Sequence, residues 1–524
     1  MNYKISLKVL ILVIQFVSYA SFALAISSTN LSLDSWAYEA LDTLEGYGLI
    51  DSALSSTRPY SRLEAARLVW EAERKWQEIS LMDKDWQRKE IVISFLSRLK
   101  KEFKSELIDL RALEGTAVST YLKPIDELIF KYQYQSDDPI IRPQNGSPPT
   151  HTIYPLYNQD GLVYRKEHNF TAELQGEGRL WNHFSLYYRP LFMSMEGENA
   201  LLRLEKGYLK FELLNLELEV GRDSLWWGPG RHGALLMTNN ARPFDLIKLS
   251  NQNPFAIPVL GLLKFNLFFS RLDYKEPYIP EPLLYGLRLQ IKPHPIFELG
   301  VSHIAVFEGE GRKSLSFRDY IDILYGNVNR DGTKLDSNQQ ISIDFSLRWP
   351  SFYKILPIAR SLKLYGEYGA EDTGFLPDRR ALLLGLAFYD LFLLGRVDLF
   401  LEYANLTPSD VPFMWYIHQF YPPIYHERIF GHHSGSNSED FFIRLNTFIS
   451  PKLKLGVDFD YEFKGKWLAE KTYNYQLGID LDYLFNNLIS IKGRYVGQKF
   501  VDPAGIAGGD NISNLFGLEV HYKF

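Results

Sequence analysis

The stretch from Phe516 to Phe524 alternates strictly. Phe516, Leu518, Val520, Tyr522 and Phe524 take turns with Gly517, Glu519, His521 and Lys523. A period of two belongs to a strand. A strand buried on both faces would not carry the second set, whereas one with lipid outside and a polar lumen inside would. The same alternation runs through Leu453–Phe463, where Lys454, Asp458, Asp460 and Glu462 hold the polar places. It recurs in Tyr475–Tyr483 and in Ile341–Trp349. Half-buried soluble sheets alternate too, so one such run decides nothing. Their repetition predicts an all-β membrane barrel of antiparallel transmembrane strands, closed because open edges are not tolerated in lipid.

Five runs precede Gly221, near 127–136, 168–181, 184–195, 201–213 and 215–222. Twelve follow, starting near 262, 283, 297, 340, 360, 381, 396, 439, 452, 472, 488 and 515. That odd sum conflicts with the even strand number of bacterial single-chain barrels. A further strand is therefore expected between Asp223 and Leu260, for about 18 in all. The connections alternate between short and long. Phe485-Asn486-Asn487, Ser450-Pro451 and Pro293-His294-Pro295 are short, while 137–167, 308–339 and 405–438 are long. Short periplasmic turns and long external loops have this asymmetry.

Before about Asp126 the period is that of a helix. Asp34-Ser35 is a cap for a first helix with Trp36, Ala40, Leu41 and Leu44 on one face. Pro59-Tyr60-Ser61-Arg62 opens a second, and a third is expected from near Asp83 to Leu113. Lys4 and Lys8, an apolar run from Val9 to about Leu24, and Ala23-Leu24-Ala25 have the form of a signal peptide cleaved near Ala25. The expected organisation is a signal peptide over 1–25, a small helical bundle or periplasmic plug over 26–120, and a transmembrane barrel over 121–524, placed in a bacterial outer membrane.

Composition agrees with that picture. Aromatics make up 15 % of the 524 residues, with 33 Tyr and 35 Phe, as lipid-facing strands with aromatic girdles require. The net charge of −6 is small for the length and predicts no nucleic-acid partner. The absence of cysteine excludes disulfides, thiolate metal sites and a cysteine nucleophile. No G-x-S-x-G, H-E-x-x-H or P-loop motif occurs, so no enzyme and no cofactor is expected. The alternating acids are taken as a hydrated lumen wall.

Two stretches carry candidate chemistry. Trp226-Trp227-Gly228-Pro229-Gly230, with Arg231, Asn240 and Arg242 close behind, sets two indoles beside a tight turn. It suits either sugar stacking or a structural loop folded into the lumen. The region 405–438 holds Phe413, Trp415, Tyr416, Tyr421, Tyr425 and Arg428. Aromatics at that density require a ligand or a fold-back into the lumen. The preferred platform for a saccharide is Trp415-Tyr416. His432-His433 is read as non-metal, because neighbouring histidines seldom ligate together and no carboxylate is spaced with them.

Trp-Gly-Pro-Gly after the Gly221-Arg222 strand end, followed by Asn239-Asn240-Ala241-Arg242-Pro243, resembles the signature of the capsule assembly protein Wzi family. Arg58-Pro59-Tyr60-Ser61-Arg62-Leu63-Glu64 resembles that family's N-terminal region. The resemblance implies an eighteen-stranded outer-membrane barrel, closed by helices on its periplasmic side. It also implies a lectin-like role in holding capsular or extracellular polysaccharide. Lipid, lipopolysaccharide and the barrel-assembly machinery are the further expected partners, the last through Phe516, Leu518, Val520, Tyr522 and Phe524. Arg62, Glu64 and Ala65 also resemble part of an S-layer-homology motif, for which a packing role is preferred. The rival function is a channel for small solutes or saccharides, since barrels of this size leave an aqueous lumen unless something fills it.

Overall fold

The computed structural model describes residues 26–82, 89–144, 147–153, 155–274, 278–324, 333–371, 380–407, 415–466, 471–502 and 510–524. The expected signal peptide, the start of the third helix at Asp83, and Phe413 lie outside the described residues. Eighteen antiparallel strands close into one barrel. In chain order they are β1 (Tyr121–Gln135), β2 (Glu167–Leu180), β3 (Phe184–Met195), β4 (Leu201–Leu213), β5 (Leu216–Asp223), β6 (Phe244–Asn251), β7 (Gly261–Arg271), β8 (Leu283–His294) and β9 (Phe297–Phe307). They continue as β10 (Ser337–Trp349), β11 (Ala359–Glu371), β12 (Arg380–Leu391), β13 (Val397–Asn405), β14 (Ser438–Ser450), β15 (Leu453–Lys464), β16 (Thr472–Leu484), β17 (Ile489–Val501) and β18 (Asn511–Lys523). Strand β18 pairs back on β1, with Glu127 opposite Lys523, which removes the open edge.

The strand missing from the periodicity is β6. It pairs with β5 from Phe244–Asp223 to Asn251–Leu216. Its register escapes notice in the sequence because Asp245 and Lys248 fall on opposite faces of the strand, and the run is only eight residues long. Strand β1 begins before the expected 127. Its pairing with β2 is irregular between Lys123 and Glu127. Pro124 lies in that gap, has no N–H for the ladder, and interrupts the alternation.

Outward positions are apolar: Leu202, Leu209, Ile247, Phe459, Leu477, Phe516 and Leu518 are all exposed. At the rim that carries the long connections, Tyr403, Phe441, Tyr461 and Tyr475 form a row with ring centroids 4.5, 6.2 and 5.2 Å apart. An aromatic girdle has this form. Among the described residues no helix is long and apolar enough to cross a membrane.

The N-terminal region forms α1 (Trp36–Gly46), α2 (Arg62–Met82), α3 (Lys89–Glu102) and α4 (Lys104–Asp109). Ser35 caps α1, accepting from the Ala37 amide, and the Ser61 hydroxyl accepts from the Glu64 amide at the start of α2. The single third helix expected up to Leu113 is two helices. They break at Phe103, whose fully buried ring packs in the bundle core with Leu99 and Leu107. The bundle sits in the mouth of the barrel at the short-turn end. Its acids reach cations spread round the wall: Glu45 to Lys292 of β8 at 3.3 Å and Lys363 of β11 at 3.2 Å, and Glu102 to Lys523 of β18 at 3.0 Å. Asp109 meets Arg179 of β2 at 2.6 Å, and Asp34 meets Arg189 of β3 at 2.7 Å. Arg62 and Glu64 take part in the same packing, Arg62 with Glu102 and Glu106 and Glu64 with Lys264 of β7.

Candidate functional site

The inward faces of the strands are polar, as the alternation predicts, but they do not form a hydrated wall. Arg288, Glu219 and Asp344 are fully buried, and Lys206 and Lys210 nearly so. Charges removed from water need partners. Arg288 pairs with Asp344 at 2.7 Å, Lys248 with Glu219 at 2.8 Å and Lys292 with Glu298 at 2.9 Å. What displaces the water is protein from both ends.

The connection 224–243 descends from the long-loop rim into the lumen. Trp226 and Trp227 pair there as a short antiparallel ladder with Thr57 and Arg58, which come from the helical end. The Gly228 amide adds a bond to the Ser56 carbonyl at 2.9 Å. The two stretches that carry the family resemblance are therefore bonded to each other in mid-barrel. Arg288 of the wall clamps the junction by donating to the Thr57 hydroxyl at 2.6 Å. Trp227 is fully buried, edge-on to Phe268 at 5.3 Å. Gly228 has φ +138°, and a Cβ there would meet Ala234 and the Glu367 carboxylate at 2.8 Å, so the turn accepts only glycine.

Wall carboxylates hold the loop by its backbone. Glu402 of β13 accepts from the amides of Arg231, His232 and Gly233 at 2.8, 3.2 and 2.9 Å. Glu367 of β11 accepts from the Leu235 amide at 2.9 Å. Arg231 lies over the Phe400 ring at 4.0 Å and reaches Asp42 of α1 at 3.5 Å, a second junction between loop and helices.

The described part of the connection 406–437 from 415 on folds inward as well. The outward-facing platform expected at Trp415-Tyr416 does not form, because both side chains have no exposure. The Tyr416 amide donates to Glu371 of β11 at 2.8 Å, and its hydroxyl donates to the Leu235 carbonyl and accepts from the His432 amide. Tyr421 is buried and donates to the Glu308 carbonyl at 2.9 Å. Arg428 is buried too. Its guanidinium holds the Asn240 side chain at 2.9 Å and the Leu156 carbonyl at 3.1 Å, joining the two inward loops to the β1–β2 connection that carries Leu156. These residues lie where fold-back places them, since the buried backbone amides of an inward loop need acceptors and the wall acids supply several of them.

Arg242 is half-buried, and Tyr425, expected at the surface, is buried beneath the exposed His426. Tyr425 stacks on Phe244 at 5.3 Å and meets the exposed His426 at 4.4 Å. His426 lies 3.2 Å from Asp273. Partial burial and the nearby Arg203 charge lower the Arg242 guanidinium from its ordinary value. At the opposite end a cleft of about 470 Å³ lies between the bundle and the wall, lined by Trp36, Glu39, Arg98, Lys454, Lys492 and His521. Arg98 stacks on Trp36 at 3.9 Å.

The histidine pair is not bare of carboxylates, contrary to the expectation from spacing. His433 Nε2 lies 3.1 Å from Asp440 of β14 and 3.3 Å from Glu462 of β15. His232, from the other loop, lies 3.4 Å from Asp460 of β15. Local spacing could not reveal these neighbours, because cross-strand register and loop descent bring them together.

With this geometry described, similarity can be added. The profile of the family described as capsule assembly protein Wzi matches residues 147–501. The chain belongs to the capsule assembly protein Wzi family. A solved member, an Escherichia coli outer membrane protein described as involved in group 1 capsule assembly and as a carbohydrate-binding β-barrel, superposes on this Wzi-family chain with a TM-score of 0.67. It shares 17 % identity and covers 94 % of this chain and 99 % of its own, which establishes a common fold. A Klebsiella pneumoniae relative, described as an uncharacterized 55.8 kDa protein in the cps region, is 27 % identical over 187 residues, 34 % of this chain. The chain spans 35 % of that curated relative.

Proposed function

We propose that this Wzi-family chain is an outer-membrane, lectin-like protein that attaches or assembles capsular or extracellular polysaccharide at the cell surface. The observation that carries the proposal is the mid-lumen ladder of Trp226-Trp227 with Thr57-Arg58, which joins the fillings from both ends of the barrel. A barrel crossed in this way is suited to holding a ligand on its surface, and the channel alternative loses its open path. The description of the Escherichia coli member as carbohydrate-binding supports the ligand class. In this proposal residues 1–25 are a signal peptide cleaved near Ala25, the helical region is a periplasmic plug, and 121–524 form the transmembrane domain.

The candidate residues then divide. Trp226, Trp227, Trp415, Tyr416, Tyr421, Arg428 and Asn240 shape and brace the loops, and Arg231 ties them to the plug. Tyr425 and Arg242, with Arg203 and the exposed His426 beside them, are the proposed saccharide contacts, where the Arg242 guanidinium suits an acidic sugar. Many weak contacts along a repeating polymer add through avidity. Phe516, Leu518, Val520, Tyr522 and Phe524 are the proposed assembly signal. Replacing Phe524 by Lys is expected to lower outer-membrane levels, measured by membrane fractionation. The functional test pairs a glycan-binding measurement on detergent-purified protein with a bilayer recording. Capsule binding with negligible conductance supports the proposal; a large steady conductance with no glycan binding overturns it in favour of the channel.

A further inference from the structure

We propose that the two inward loops are locked to the barrel wall by a transition-metal site, of Zn²⁺ chemistry, formed by His232, His433, Asp440 and Asp460. One ligand atom from each of the four side chains lies within 4.8 Å of every other. His232 Nε2 is 3.4 Å from Asp460 Oδ2 and 3.8 Å from Asp440 Oδ2, and His433 Nε2 is 3.1 Å from Asp440 Oδ2. Around a tetrahedral Zn²⁺ with bonds of about 2.0–2.1 Å, neighbouring donor atoms stand about 3.3–3.4 Å apart. Three of the separations, 3.1, 3.4 and 3.8 Å, lie near that spacing, and small side-chain adjustments would bring the rest of the cluster around a shared centre.

Two further observations point to a ligand. First, His232 Nε2, both ring nitrogens of His433, Asp440 Oδ2 and both Asp460 oxygens are buried, and none makes an aligned hydrogen bond, although they face one another. Buried polar atoms that face one another without hydrogen-bond alignment call for an explanation. Second, the imidazoles are held for ligation. His232 stacks flat on Phe442 at 3.8 Å and 7°, and His433 stacks on Tyr157 at 3.8 Å and 20°. A Cβ at Gly233 would lie 2.3 Å from the His432 ring, so glycine lets the two loops close over the cluster. Two imidazoles with two carboxylates make a mixed N/O donor set. That set suits Zn²⁺, whereas Ca²⁺ and Mg²⁺ prefer oxygen alone.

The four ligands come from both inward loops and from β14 and β15. A bound ion would clamp 224–243 and 406–437 to the same wall, independently of any glycan.

The test uses the full mature chain in detergent, purified without a polyhistidine tag, stripped with chelator and titrated with Zn²⁺ alone. One Zn²⁺ per chain is expected, with a rise in Tm and slower proteolysis of the loops. His433→Ala and Asp460→Asn are each expected to weaken Zn²⁺ binding by about a hundredfold or more, since even outer-shell changes cost about 10–100-fold. Because a variant can fail to fold, Co²⁺ loading of the parent protein is the second measurement, and its visible spectrum is expected to report a four-coordinate N/O site. The proposal is overturned if the stripped parent takes up no Zn²⁺, if well-folded variants bind it equally, or if Ca²⁺ gives the same stabilisation and Co²⁺ shows only six-coordinate oxygen ligation.

Discussion

At the short-turn end the barrel is closed by helices whose carboxylates reach lysines and arginines distributed round the wall, as in Glu45 with Lys363, Glu102 with Lys523 and Asp109 with Arg179. At the long-loop end the roles are reversed. The wall supplies the carboxylates, Glu367, Glu371 and Glu402, and the loops supply backbone amides and buried aromatics. A helix satisfies its own amides and needs only side-chain anchors. An irregular loop drawn into a lumen must find acceptors for its amides, and the inward acids of β11 and β13 are among those acceptors. The helical end is therefore held by charge and the loop end by backbone hydrogen bonds and packing.

The largest effect is expected from removing both closures. Deleting residues 30–115 leaves the inward loops in place and is expected to raise conductance only modestly. Deleting them together with 226–237 is expected to give a large steady conductance in planar bilayers. Full opening on loss of the helices alone would show that the loops do not seal.

At the loop end, Glu402→Ala orphans one buried and two partly buried amides, the buried one costing about 1–3 kcal/mol, while Glu402→Gln keeps an acceptor and is expected to cost less. Thermal denaturation of the two variants checks the order. Trp415→Ala is expected to destabilise by about 3–5 kcal/mol through the cavity it leaves, and to affect glycan binding only through folding.

Acid sharpens the contrast. Burial alone would raise the Glu45 and Glu102 carboxyls, but Lys363, Lys292 and Arg348 for Glu45, and Lys523 and Arg62 for Glu102, more than offset it and hold both well below the ordinary carboxylate range. Depressed values mean stability that is present above the unfolded value, about 4.3, and lost as the pH falls through the folded one. The helices are expected to stay docked at mildly acidic pH and to loosen only in strong acid. Protease accessibility of the helical region, measured against pH, checks this. Loosening near neutrality would contradict it. The smallest effect is expected from Arg242→Ala, which should leave Tm unchanged and weaken binding to acidic polysaccharide. Unchanged binding would remove Arg242 from the proposed contacts.

Alternation determined the class of fold, seventeen of the strands and which connections are short, and the even strand number of bacterial barrels supplied the eighteenth. Lipid cannot satisfy backbone groups, so the chain has to write its outward face at every second position, and the runs ending at Phe463, Tyr483 and Phe524 do so legibly. Ser35 and Pro59-Tyr60-Ser61 likewise mark helix starts through local capping. The sequence could not tell whether an inward acid meets water or protein, because Glu402 is the same residue in either setting. Nor could it show that Trp226-Trp227 would pair with Thr57-Arg58, that Trp415 would be buried, or that His232 would stand beside His433 and Asp460. Those outcomes join residues far apart in the chain. They depend on barrel closure and on how deeply each loop descends, which only the packed tertiary structure decides.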